Sequence, residues 1–473
     1  MYPVLRTPRG SLMRKCDSDQ QALAVGRVYH FYVDETAATN GDGTELSPWN
    51  NINNALTEDM WQRCLQSCTK VYVHVHGSIN HYIASPAGYY SVYNYNFNLI
   101  FLPWNQERVT VNPETNCLYI YEGGEHRQIG VNANNVVFQQ FDFIQNVQPV
   151  EATKVIMVCF RRSCNLYNCT VTVSAMIDGY AAPFTVVIYA FFRDSECRYN
   201  IINSTVNIYA SCANTGTRWY LTVHPCTIVS AIDSIFNVEV TGAWQGPSIN
   251  VLIVIAGGYV SRCTATVELN NCMRPSCYLL TTASTIQTSI IEDSNFSIIT
   301  SGGRDPWVCG IRGAVQMSSS DLYISTQVQK NSDCIGLWGA GEIINCNITV
   351  LSNIDIYSTD GPGADYNDNI VKGIQRSADA YDLMLLVDTC TISALATHSG
   401  WPPASNNDNE LFELACAIDI QDSELPLFSI IDSDLSPGSC LHESYAWYTQ
   451  IITQIEYRCG SSSNYPASCL LGA

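Results

Sequence analysis

Between residues 155 and 436 apolar and polar positions alternate with a period of two, and no stretch there keeps the i, i+3, i+4 spacing of an amphipathic helix. The phrase "NCNITV" at 345–350 shows the form: a polar residue, then Cys or Ser, then polar, apolar, polar, apolar. It recurs as "NCTVTV" from Asn168, "NSTVNI" from Asn203, "DSIFNV" from Asp233, "RCTATV" from Arg262, "DSNFSI" from Asp293, "SSDLYI" from Ser319, "TCTISA" from Thr389 and "DSDLSP" from Asp432. The second letters fall at intervals of 26 to 44 residues, and a strand repeated at such a period marks a solenoid, propeller or array. A second series runs in phase with the first: "VIMVCF" from Val155, "VVIYAF" from Val186, "YLTVHP" from Tyr220, "VLIVIA" from Val251, "YLLTTA" from Tyr278, "VCGIRG" from Val308, "CIGLWG" from Cys334, "VKGIQR" from Val371 and "FELACA" from Phe412. Each repeat thus holds two β-rich segments and a variable polar loop.

A propeller blade needs four antiparallel strands with hairpin signals, and tight hairpin dipeptides are scarce in this chain. A parallel β-helix instead stacks like residues above like, about 4.8 Å apart. In that arrangement the period-two rule puts Cys346, Ile348 and Val350 on the inner face and Asn345, Asn347 and Thr349 outside. The column Cys169, Ser204, Ser234, Cys263, Ser294, Ser320, Cys346 and Cys390 then becomes an internal ladder of small side chains at a corner, with Cys acting as a small hydrophobe and Ser bonding nearby backbone.

Ahead of the repeats, Ile52, Ala55, Leu56, Met60, Trp61, Cys64 and Leu65 recur at helical spacing and predict an amphipathic helix that covers the first coil's unpaired edge. Cys64 and Cys68 fall at i, i+4 on that helix and read as packing residues. The stretch "FYVDETAATNGDGTELSPWNNINNAL" (31–56) resembles the opening segment of pectin-lyase-like right-handed β-helix proteins, and "NVVFQQFDFIQN" (135–146) resembles their coil phrase. The fold expected is therefore all-β: a single-stranded right-handed parallel β-helix, a solenoid of about ten to twelve coils, with an N-terminal capping helix. Its parts are an N-terminal arm and docking segment (1–28), an opening strand and capping helix (29–69), the β-helix (70–439) and a C-terminal cap or subunit-contact segment (440–473).

Composition narrows the class. Of the 473 residues 47% are hydrophobic and only 14% charged, which excludes a disordered chain and demands a large core. A net charge of −20 repels phosphate backbones and anionic membranes, so neither nucleic acid nor membrane insertion is expected. The N-terminal segment lacks the apolar core of a signal peptide, and the longest apolar run, around 251–260, is too short to span a bilayer. Cytosolic synthesis then makes the 21 cysteines buried thiols instead of a disulfide framework. Four N-glycosylation patterns, at Asn168, Asn203, Asn295 and Asn347, lie inside the repeat phrase, whose own chemistry supplies Asn, Ser and Thr.

The resemblance implies two enzyme constellations: calcium-binding Asp groups with a catalytic Arg or Lys in lyases, and paired Asp with a Gly-His-Gly phrase in hydrolases. The chain contains no "DD", "GHG" or "RxK". The catalytic candidates that remain are loop residues that successive coils bring to one side, Arg304, Asp305, Asp333, Asp360, Asp365, Asp368 and Asp408, because carboxylates about 5 to 9.5 Å apart are what glycoside hydrolysis requires. Trp244 and Trp307, in the same loops, are the candidates for stacking on sugar rings. In "VYVHVHG", His74 and His76 share a strand face and are candidate metal ligands with His81 nearby; no cofactor is expected. Three functions compete: a structural or receptor- and glycan-binding β-helix of a virus particle (spike, fibre or capsid-associated protein), a polysaccharide lyase or glycoside hydrolase, and a non-viral adhesin or scaffold. The first expects other subunits, with a homotrimer considered, and polysaccharide or glycan as partners, at the virion or cell exterior after cytosolic synthesis.

Overall fold

The computed structural model describes residues 27–57, 68–81, 83, 98–112, 119–120, 136–147, 154–160, 164–177, 184–191, 199–212, 219–223, 227–242, 244, 246, 248–282, 288–329, 331–355, 367–376, 385–399, 411–420, 428–431 and 433–436. They form an all-β molecule of one 20-stranded and one 11-stranded sheet, parallel except where Tyr119–Ile120 meets Val155 and Ile156. The chain visits the large sheet twice and the small sheet once in each repeat, as in Phe184–Phe191, Tyr199–Ile202 and Thr205–Cys212, giving a solenoid-like stack compatible with a parallel β-helix. No described helix is long and apolar enough to cross a membrane.

The small sheet is built from the repeated phrase. Thr170, Thr205, Ile235, Thr264, Asn295, Asp321, Asn347, Thr391 and Asp434 stand in one unbroken column, so every copy stacks in register. The face assignment holds: Cys346, Ile348 and Val350 are buried, while Asn345 and Asn347 are exposed.

The first letter of the phrase has a conformational role. Asn168, Asn203, Asp233, Arg262, Asp293, Ser319, Asn345 and Thr389 all have φ between 48° and 54°, the left-handed region, and Gln140 takes the same place before Phe141. Asn and Asp tolerate that region best among residues with a Cβ, which accounts for their frequency here. The left-handed residue turns the chain from one sheet into the other, and the next side chain points inside.

That side chain forms a hydrogen-bonded ladder. Ser204 Oγ accepts the Cys169 N–H (3.0 Å), Ser234 Oγ the Ser204 N–H (3.2 Å), Ser294 Oγ the Cys263 N–H (3.1 Å) and Ser320 Oγ the Ser294 N–H (3.0 Å). Cys390 Sγ accepts from Cys346 N–H at 3.4 Å, and Ser433 Oγ from Cys390 N–H at 3.1 Å. From Cys169 to Cys390 each Ser or Cys of the ladder also donates to the carbonyl two residues back, as Ser294 does to Glu292 (2.8 Å) and Cys346 to Ile344 (3.2 Å). The ladder thus gives the buried rung N–H groups their acceptors and adds a second donor to carbonyls that already take a backbone N–H, as Glu292 O does from Arg262.

A single apolar cluster runs through the stack from Phe31 to Ile418. Towards the N-terminus it is aromatic: Phe101 stacks on Phe138 (5.1 Å) and Phe160 on Phe191 (5.3 Å), with Phe143 edge-on to Phe138 (5.2 Å).

Two expectations need correction. The described residues show no amphipathic helix. They show a short 3-10 turn, Ile52–Leu56, capped by Asn51 Oδ1 accepting from Asn53 N–H (2.8 Å) and ended by extended Thr57. Its residues Ile52, Ala55 and Leu56 are buried as the apolar stripe predicts, but Asn53 and Asn54 favour caps and turns over helix interiors. Met60, Trp61, Cys64 and Leu65 lie outside the described residues, and Cys68 begins the strand Cys68–His76 instead of ending a helix. The second series also drifts: Val155 faces Val186 and Cys334 faces Val371, but Val186 faces Leu221 in place of Tyr220 and Val371 faces Ala415 in place of Phe412. Those runs are apolar on both faces, so their letters carry no mark of register.

Candidate functional site

The outer surface gains a site where the large sheet bends. In Trp307–Ser318 four consecutive residues, Val308, Cys309, Gly310 and Ile311, are buried, which plain alternation forbids. Gly310 points inward, and a Cβ there would lie 2.6 Å from Gly336 O and 2.8 Å from Leu322 Cδ1, so only glycine lets the strand fold this close to the small sheet. The pairing with Ser276–Thr282 and Ser332–Ile344 skips that position.

Three columns of side chains cross the outside of the bend: Ser276, Trp307, Asp333 and Ile370; Tyr278, Cys309, Ile335 and Lys372; and Thr281, Arg312, Trp338 and Gln375. Cys309 and Ile335 are buried yet stand apart from the internal cluster. Trp307 meets Tyr278 (4.7 Å between ring centres, 64° between planes) and Trp338 (5.8 Å, 73°). The Arg312 guanidinium lies 4.5 Å from the Trp338 ring centre and 5.6 Å from that of Tyr278, and donates to the Tyr278 hydroxyl at 3.1 Å. Trp307, Tyr278 and Trp338 are half-buried and Arg312 is exposed, so the patch faces solvent. Burial pushes the Cys309 thiol up, against the opposing pull of Arg312.

The predicted residues separate on this map. Trp307 and Asp333 stand side by side in the patch. Asp305 is occupied elsewhere: Oδ2 takes Arg274 Nε (3.3 Å) and Oδ1 takes Asn331 Nδ2 (2.9 Å), in a backbone of φ 52°. Arg304 pairs its main chain with Cys272 and Arg274. Trp244 has no exposed surface and its indole N–H donates to Thr241 O (3.1 Å), so it presents no face to a sugar. Asp360, Asp365 and Asp408 lie outside the described residues, as does the side chain of Asp368.

The histidines point to different partners. His74 Nε2 meets His30 Nδ1 at 2.9 Å and its ring stacks on Tyr32, while His76 Nδ1 lies 3.2 Å from Trp104 O and His81 Nε2 lies 2.9 Å from Glu35 Oε2. Burial, reinforced by His30, holds the His74 pKa below its ordinary value. Among the described residues no three His, Cys, Asp or Glu side chains gather as a metal site.

Tyr278, Arg312, Trp338 and Lys372 escape a reading by loops because they sit on strands. The shared Gly of "VCGIRG", "CIGLWG" and "VKGIQR" is the signal that finds the last three: the residue before it and the residue two after it form the outer columns, which Tyr278 joins by pairing with Cys309. In comparisons with protein-family profiles, curated proteins and solved structures, nothing matched this chain.

Proposed function

We propose that the chain is a right-handed parallel β-helix of about ten to twelve coils, akin to the pectin-lyase-like superfamily, and that it is a rigid glycan-facing component of a virus particle. The observation that carries the glycan reading is the aromatic patch of Tyr278, Trp307 and Trp338 around Arg312 on an outer wall. Aromatic faces beside a fixed hydrogen-bond donor suit sugar rings, which offer apolar C–H faces and polar edges. The particle assignment, with residues 1–28 as a docking arm and other subunits as partners, rests on fold-level analogy and on the lack of a known catalytic phrase.

A second reading has its own support: Asp333, Arg312 and Lys372 share the three columns of the patch, and an acid, a guanidinium and an amine are the raw material of a lyase or hydrolase. One experiment addresses both. The full chain is titrated with a glycan panel by tryptophan fluorescence, and each mixture is assayed for reducing ends and for ultraviolet absorbance of unsaturated products. Binding without either product is the expected result. Turnover abolished by Asp333→Asn in a folded protein would replace the structural reading with the enzymatic one.

A further inference from the structure

Arg312 is held in an uncommon way for this protein. The chain carries a net charge of −20, and the arginines Arg108, Arg262 and Arg274 each take a carboxylate, from Asp142, Asp233 and Asp305. Arg312 has no carboxylate within ion-pair distance among the described residues; its partners are the Tyr278 hydroxyl and two aromatic rings. A guanidinium has five N–H donors in a planar fork, and only one atom, Nη1, is engaged with a hydroxyl here. The ring of Trp338 holds the guanidinium from 4.5 Å without consuming its donors.

We infer that the patch binds a sugar bearing a carboxylate, with the acid group on the Arg312 fork and the sugar's apolar face on Trp307. This rests on the glycan reading above and specifies its ligand. A neutral sugar would use the rings but leave the oriented cation unanswered, whereas a carboxylate matches the fork with two parallel hydrogen bonds. The contacts Tyr278 to Trp307 at 4.7 Å and Trp307 to Trp338 at 5.8 Å make the patch compact, fitting one or two rings of a glycan instead of a long polymer.

Two sources of such a sugar exist, sialic-acid-type termini and glucuronate units, and the test separates them. The full-length protein is titrated by calorimetry with sialyllactose, with a glucuronate disaccharide and its methyl ester, with lactose and with a sulfated disaccharide. Tighter binding of one or both carboxylated ligands than of lactose or the ester is expected. Arg312→Gln should weaken the carboxylated ligands about 10- to 100-fold, the range for a charge-assisted hydrogen bond, and leave lactose unchanged. Arg312→Lys, which keeps charge but loses the fork, should fall between, and circular dichroism confirms the fold of each variant. Equal affinity for acid and ester, preference for the sulfated ligand, or indifference to Arg312→Gln would overturn the inference while the glycan reading stands. Binding of no sugar at all would remove both.

Discussion

At the scale of single residues, two positions govern the corner of each repeat, and each makes a prediction. Ser294 accepts the Cys263 N–H and donates to Glu292 O inside the stack, so Ser294→Ala leaves the buried Cys263 N–H without its acceptor, while Glu292 O keeps the Arg262 N–H. The cost expected is about 1–3 kcal/mol, read as a lower urea midpoint, while Ser294→Cys should cost less because Cys fills the equivalent place at Cys263 and Cys346. Thr389 is the β-branched member of the left-handed series, at φ 54°. Replacing it with Asn, the residue at Asn345 and Asn203, should raise stability by up to about 1 kcal/mol, since the left-handed region strains a branched Cβ most. The same midpoint measurement decides it, and an unchanged or lowered value counts against the strain argument. The alternation and the recurrence of Cys or Ser were legible as a ladder, but the left-handed turn was not. The Asn or Asp before the rung reads equally well as an ordinary outward polar residue, and Arg262 and Thr389 disguise the preference.

At the scale of elements, the strands keep their thiols out of reach. The ten cysteines whose side chains are described are all buried and form no disulfide. Burial pushes the thiols of Cys169, Cys263 and Cys334 up to about 11 and that of Cys272 up to about 12, and it drives Cys277 higher still. A thiol reagent at pH 8 should therefore label these positions only after denaturation. The sign of the linkage follows: each folded pKa exceeds the ordinary value of 9.0, so folding favours the protonated thiol. That contribution is complete below pH 9 and is lost as pH climbs from 9 towards 11 and 12, so the urea midpoint should fall over that window. A flat profile would mean that the thiols already reach solvent. Strand faces were readable wherever one face was polar, as in "NCNITV". The outer patch was hidden because the bend at Gly310 breaks alternation, so Cys309 and Arg312 share the outer surface although they stand three positions apart, an odd spacing.

At the scale of the molecule, a stack of repeats gains stability from each neighbour it touches, and its interior repeats touch two. Trp307–Ser318 pairs with Ser332–Ile344 along nearly its whole length, and Asn347–Asp355 with both Asp321–Val328 and Thr391–Ser399. Hydrogen exchange read by mass spectrometry should show the slowest amides across 307–355, with protection falling towards Arg27–Asp34 and Asp434–Ser436. Uniform protection from end to end would instead mark one cooperative unit. The corner ladder carries a consequence for how such a protein changes over time. Successive rungs are separated by 26 residues at Ser294 and Ser320 but by 44 at Cys346 and Cys390, and the strands beside both pairs remain in step. Loop length is thus uncoupled from the spacing of the scaffold, and lengthening a loop costs little, about 0.6 kcal/mol per doubling. New outer surface can be acquired one loop at a time, by insertion or by grafting, while the framework that displays it is left unrevised.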